Sequence, residues 1–287
     1  MLKIFSSLVV SLIVAFPVIG QTARVTTWKN DAKAAYSIIH DDYGDSGVDG
    51  IWQQADTIAF NRGIKFTIGA ISSSCEQERI INGSIRTPYE YARDVMIAQH
   101  GHEIIAHSHT HDCAVGNLGW SPCDKGLGNG WGENGDFDIE IVESTESIET
   151  GTGHRPQYYI YPYDKFTNAS NDKLKELGYI GSRTGWTSSI GESFYREGYE
   201  KDDLNTFYPD VDGFFRTAVQ VFDGNDSDSP NHDLILNGTV DNALNNGTWA
   251  NSELHNVGNS GWGSVSIDGY RKHINYIQQK VVEGELW

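Results

Sequence analysis

Short apolar runs alternate with amphipathic stretches along most of this chain, and that alternation restricts the fold more than any other feature. Runs at residues 35–39, 65–68, 103–106, 158–161 and 217–222 have the length of buried strands. Between them, residues 50–62 place Ile51, Ala55, Ile58 and Ala59 on one helical face. Residues 89–100 do the same with Tyr89, Ala92, Val95 and Met96. Residues 138–150, 171–177 and 268–281 are further helical stretches. Strands alternating with helices predict a parallel α/β sheet, whose active residues sit at the carboxyl ends of its strands. Two stretches break the alternation: a glycine-rich loop at 116–135, with Trp120 and Trp131, and an acidic loop at 223–231. No internal repeat or linker divides the chain, so residues 21–287 read as a single catalytic domain.

The first 20 residues read as a secretory signal peptide. Lys3 supplies the positive start, residues 8–18 the apolar core, and Gly20 the small residue before the cut. That run is too short for a membrane span, and the expectation is a secreted protein, extracellular or periplasmic, with no stable membrane insertion. The formal net charge of −18 argues against nucleic acid as a partner. Of the three cysteines, Cys75, Cys113 and Cys123, an exported chain is expected to pair two. Both Cys113–Cys123 and Cys75–Cys113 are open, with a slight preference for the first.

Two segments carry the chemistry, each at the end of an apolar run. Ile39-His40-Asp41-Asp42-Tyr43 offers adjacent carboxylates, and Ile105-Ala106-His107-Ser108-His109-Thr110-His111 offers histidines four apart. On an extended segment the two aspartates point apart, so one can hold a metal while its neighbour acts as a base. The same residues also make good turn sequence. A spacing of four sets His107 and His111 on one side of a helical turn, with His109 pointing elsewhere. Together the segments supply one carboxylate and two imidazoles, a donor set that suits Zn²⁺ but also accepts Co²⁺, Ni²⁺ or iron.

At these residues the chain resembles the polysaccharide deacetylases (NodB-like, carbohydrate esterase family 4). Residues 101–111 resemble the family's second motif, and Ile39-His40-Asp41-Asp42 its first, with His40 where phenylalanine is usual. Ile160-Tyr161-Pro162-Tyr163 resembles the third, and Glu253-Leu254-His255 the fifth. The resemblance implies a distorted (β/α) barrel of about seven parallel strands. It also implies a divalent metal and the removal of acetyl groups from an acetylated poly- or oligosaccharide, by default a chitin-type N-acetyl glycan. It assigns Asp42, His107 and His111 to the metal, Asp41 to the catalytic base, His255 to the acid, and the Tyr163 backbone N–H to the oxyanion. De-O-acetylation of hemicellulose or peptidoglycan-type material is an alternative, and an inactive carbohydrate-binding protein is another. A monomer is the default expectation.

The pattern departs in two places. The third motif normally opens with an arginine that pairs with the base, and here that position is Ile160. Arg183, after the next predicted strand, is expected to supply the guanidinium instead. In the fourth motif Trp186 stands for the pocket tryptophan without a preceding aspartate. The carboxylate that orients His255 is left among Asp210, Asp212 and Asp223. Trp120 and Trp131, with Trp186 and Tyr163, form the candidate substrate wall, although these two tryptophans equally suit pinning the long loop.

Overall fold

The computed structural model describes residues 28–116, 130–184, 204–205, 220–221, 232–258 and 263–287. Its strands are β1 (Ala35–Tyr43), β2 (Thr67–Ala70), β3 (Arg79–Ile81), β4 (Ser84–Arg86), β5 (Glu103–Ala106), β6 (Tyr158–Ile160), β7 (Gly181–Arg183), β8 (Leu204–Asn205), β9 (Gln220–Val221) and β10 (Trp249–Leu254). Eight form one sheet in the order β7-β6-β5-β2-β1-β10-β8, with β9 also on β10. Every pairing in it is parallel except that of β8. Strands β3 and β4 form a separate hairpin.

The sheet is curled into a half-barrel. In a flat sheet β7 would lie about 19 Å from β1, four strand spacings away. Yet Arg183 on β7 bonds directly to Asp41 on β1. The curl follows from burial on two faces. Ile38, Ile104 and Tyr159 belong to the large outer core beneath the helices, whereas their neighbours Ile39, Ile105 and Ile160 form a small inner cluster. Alternate side chains along a strand point to opposite faces. The inward set therefore continues from Ile39 to Asp41 and from Ile105 to His107, and the barrel floor leads up into the polar site.

The predicted helices are present, three stretches of them wound as π-helix (Ile51–Ala55, Ala92–Ile97 and Asp138–Glu143). Two large elements had no sequence signal. Helix His232–Asn246 is rich in asparagine, a poor helix former, yet it buries Leu236, Val240 and Ala243 at helical spacing. It packs on helix Ile267–Val282. Strand β10 shows no apolar run because Asn251, Ser252 and Glu253 are buried in it. Among the described residues no helix is long and apolar enough to cross a membrane.

Candidate metal centre and active site

The carboxyl ends of β1, β5, β6, β7 and β10 converge on one site. Its backbone is strained: of the eight non-glycine residues with left-handed φ among those described, five are Asp42, Ser108, His111, Tyr163 and Asp164. At Asp42 (φ 59°) the left-handed turn coincides with a register shift between β1 and β2. Both aspartates consequently face the site, a correction to the expectation that they diverge as on an extended strand.

His107 continues β5, and its Nδ1 lies 3.1 Å from the Ile160 carbonyl. A carbonyl only accepts, so Nδ1 carries the proton and the Nε2 lone pair points at Asp42 Oδ1, 3.2 Å away. His111 Nε2 is 3.1 Å from the same oxygen. The helical turn expected for this pair is absent. Ser108 and His111 are both left-handed, and Ser108 Oγ accepts the His111 N–H at 2.9 Å. Glu140, a residue the sequence did not single out, clamps this loop. It accepts the backbone N–H groups of His109 and Thr110 and the Thr110 hydroxyl. His109 points away to Ser72 and Glu143, as its position between the pair suggests.

Three lone-pair atoms, from Asp42, His107 and His111, thus lie within 4.8 Å of one another. An imidazole lone pair facing a carboxylate oxygen is repulsive unless a cation lies between them, and this donor set fits a divalent metal. The cluster of Asp56, His100 and His102 does not. There the Phe66 N–H donates to His102 Nδ1, so Nε2 carries the proton and gives it to Asp56 Oδ1 at 3.0 Å. His100 and Tyr91 also bond to Asp56, which makes this a structural network.

Arg183 holds Asp41 with two hydrogen bonds, Nη1 to Oδ1 at 2.9 Å and Nη2 to Oδ2 at 2.5 Å. Both groups are almost fully buried. Ile160 and Arg183 are register partners across β6 and β7, so the guanidinium arrives one strand over from the third-motif position. Gly69 makes the room: a Cβ there would meet Ile160 Cδ1 at 2.8 Å. Burial pushes the Asp41 carboxyl up, but the Arg183 charge outweighs it and holds Asp41 below its usual range. Asp42 is likewise held well below its usual value, its burial outweighed by the His107, His111 and His255 rings gathered around it.

His255 Nε2 lies 3.6 Å from Asp42 Oδ2 and 3.9 Å from Glu253 Oε1. Burial lowers its pKa against the pull of Asp42 and Asp41, leaving the ring neutral at pH 7. Gly263, itself left-handed, lies so close to the His255 ring that a Cβ would displace it. Tyr163 sits in the turn after β6, its ring centroid 4.7 Å from that of His111.

Of the two roles open to Trp131, its contacts favour pinning the loop. It is buried, its indole N–H donates to the Asp112 carbonyl, and its ring stacks on Tyr161. Phe137 meets the ring edge-on, and these contacts tie the loop to the body of the domain. Trp120 and Trp186, together with Asp210, Asp212 and Asp223, lie outside the described residues. Cys113 is disulfide-bonded and Cys75 is a buried free thiol, so the Cys75–Cys113 pairing is not formed.

The model of the polysaccharide deacetylase family matches residues 38–181, half of the chain and the stretch that holds Asp41, Asp42, His107, His111 and Tyr163. The chain belongs to the polysaccharide deacetylase family. No curated protein matches it in sequence. Among solved structures it is similar to the Streptococcus pyogenes deacetylase PplD in complex with acetate, at 14% identity, 52% coverage of this chain and TM-score 0.38. It spans 54% of that protein's length. It is also similar to a family 4 carbohydrate esterase from Streptomyces lividans in complex with acetate. That match has 15% identity, coverage of 89% and 91%, and TM-score 0.49. A family 4 pseudoenzyme from Bacillus anthracis is similar at 11% identity, with coverage of 90% and 64% and TM-score 0.49.

Proposed function

We propose that this protein is a secreted, metal-dependent deacetylase that hydrolyses acetyl groups, first of all N-acetyl groups, on a poly- or oligosaccharide. The observation that carries the reading is the pairing of a three-donor cluster (Asp42, His107, His111) with a buried, arginine-held carboxylate one residue away. A divalent ion held by those three residues, Zn²⁺ by ligand type, would polarise the acetyl carbonyl and acidify a water to a pKa of about 7.

The chain's own groups supply the rest. Asp41, kept ionised by Arg183, takes the proton from the attacking water as the new C–O bond forms. The Tyr163 N–H is assigned to the developing oxyanion, a contribution of about 3 kcal/mol for such donors. Breaking the C–N bond requires a proton on the leaving nitrogen, a role assigned to His255; acetate and a free amine result. His255 rests neutral, so it takes up the proton that Asp41 removed from the water and passes it to the leaving nitrogen, which restores both groups. An ester substrate would leave as the alcohol by the same steps. The departure at Ile160 that would favour an inactive carbohydrate-binding protein is offset by Arg183, so the active reading is preferred.

The test is acetate release from a panel of N- and O-acetylated glycans, with wild type and Asp41→Asn assayed after metal removal and again after Zn²⁺ is restored. Metal-dependent release, reduced about 10²-fold or more in the variant, is expected. Tight metal binding without release from any glycan would defeat the reading.

A further inference from the structure

Strand β10 and the residue just past it send two polar side chains into the site, Glu253 and His255. Only His255 has a part in the chemistry proposed above. Glu253 is buried and stands opposite Ile39 in the β1–β10 register. Burial alone would be met by an apolar side chain without the cost of desolvating a carboxyl group.

The two Glu253 oxygens face different partners. Oε2 is 2.8 Å from Arg183 Nη2, a close polar contact that is not aligned as a hydrogen bond. Oε1 is 3.9 Å from His255 Nε2. That same Arg183 Nη2 donates to Asp41 Oδ2. One polar atom from each of Asp41, Glu253 and His255 falls within a 4.8 Å cluster.

Charge decides the state of the group. One guanidinium is surrounded by three carboxyl groups, on Asp41, Glu253 and Asp164. The bidentate pair goes to Asp41. Burial then drives Glu253 well above its ordinary range and raises Asp164 as well. A protonated carboxyl both donates and accepts, so it can face a cation on one side and an imidazole on the other.

We propose that Glu253 is a positioning residue joining the base and acid halves of the site. One of its oxygens braces the Arg183 guanidinium against Asp41, and the other sets the place of His255. This rests on the deacetylase reading and goes beyond it, because the orienting group comes from the fifth-motif strand itself.

The experiment compares Glu253→Gln, Glu253→Ala and Glu253→Leu with wild type on the best substrate of the glycan panel. Each is followed by Zn²⁺ titration and thermal unfolding. Glutamine keeps the shape, an acceptor and a neutral donor, so Glu253→Gln should retain kcat within about threefold. Glu253→Ala should lose about 30-fold or more in kcat with KM and Zn²⁺ affinity nearly unchanged. Glu253→Leu fills the volume and should lose as much, which covers the case of an alanine variant that does not fold. The proposal is overturned if both Glu253→Ala and Glu253→Leu keep wild-type kcat, or if glutamine fails to rescue. It is equally overturned if the loss lies in KM or in Zn²⁺ affinity, the latter making Glu253 a metal ligand. A wild type that releases no acetate at all would instead defeat the deacetylase reading, and the inference with it.

Discussion

At the scale of single residues, the exchange between Ile160 and Arg183 explains how a family position can be lost while its chemistry is kept. The two side chains sit at one level of adjacent strands, so a guanidinium moved from one to the other still reaches Asp41. Arg183→Ala should lower kcat/KM about 10²–10³-fold, since it leaves a buried carboxylate without its cation. It should also move the acidic limb of the pH–rate profile upward. With the guanidinium gone, the largest counterweight to burial is lost and the Asp41 pKa rises, so the base protonates at higher pH. Arg183→Lys should rescue little, because an ammonium cannot form the two parallel bonds. A full-activity Arg183→Ala enzyme would contradict the assignment. Both the residue and its pairing with Asp41 were expected from the sequence; the two-bond geometry and the register with Ile160 were not legible there.

At the scale of elements, the loop from His107 to His111 is held by a residue from a different segment. Glu140 satisfies two backbone N–H groups and a hydroxyl of that loop, and so keeps Ser108 and His111 in their left-handed conformations. Glu140→Ala should weaken Zn²⁺ affinity about 10- to 100-fold, as losses of groups that orient metal ligands commonly do. Calorimetric titration of the metal-free protein would show it, and an unchanged affinity would refute the clamp. The sequence could not reveal this contact, because Glu140 reads as one of several acidic residues on a surface helix. Strand β10 was hidden for a related reason. Periodicity detects apolar faces, and the inward face of β10 is polar because it lines the site.

At the scale of the whole molecule, buried titratable groups outside the site tie stability to pH. His273 is buried on helix Ile267–Val282, between Tyr36 and Asn237, and burial lowers its pKa to about 3. In the unfolded chain it titrates near 6.5. Its contribution is therefore complete above about pH 6.5 and is lost as pH falls toward 3, on the order of 4 kcal/mol in all. Asp56 works in the same direction at lower pH. Its burial is outweighed by hydrogen bonds from His102, Tyr91 and His100, so its stabilisation is present above about pH 4 and fades below it. Urea midpoints should fall steadily from pH 6.5 to 3, and His273→Gln should flatten the decline. A pH-independent midpoint would show that these groups titrate alike in both states.

What the sequence determined by itself is whatever is written in local pattern: the alternation of strand and helix, the parallel α/β class, and the motif residues Asp41, Asp42, His107, His111, Tyr163 and His255 at strand ends. Patterns of this kind survive translation into a fold because periodicity and residue type act over a few neighbours. What only the tertiary structure decided is every relation across the sheet. The curl brings β7 over β1, seats Arg183 against Asp41, and sets Glu253 between Arg183 and His255; packing across the fold buries Trp131, which the sequence left open between a sugar wall and a loop pin. Those contacts join residues up to 142 positions apart. They depend on strand order and register, which follow from the closure of the whole core and leave no local trace.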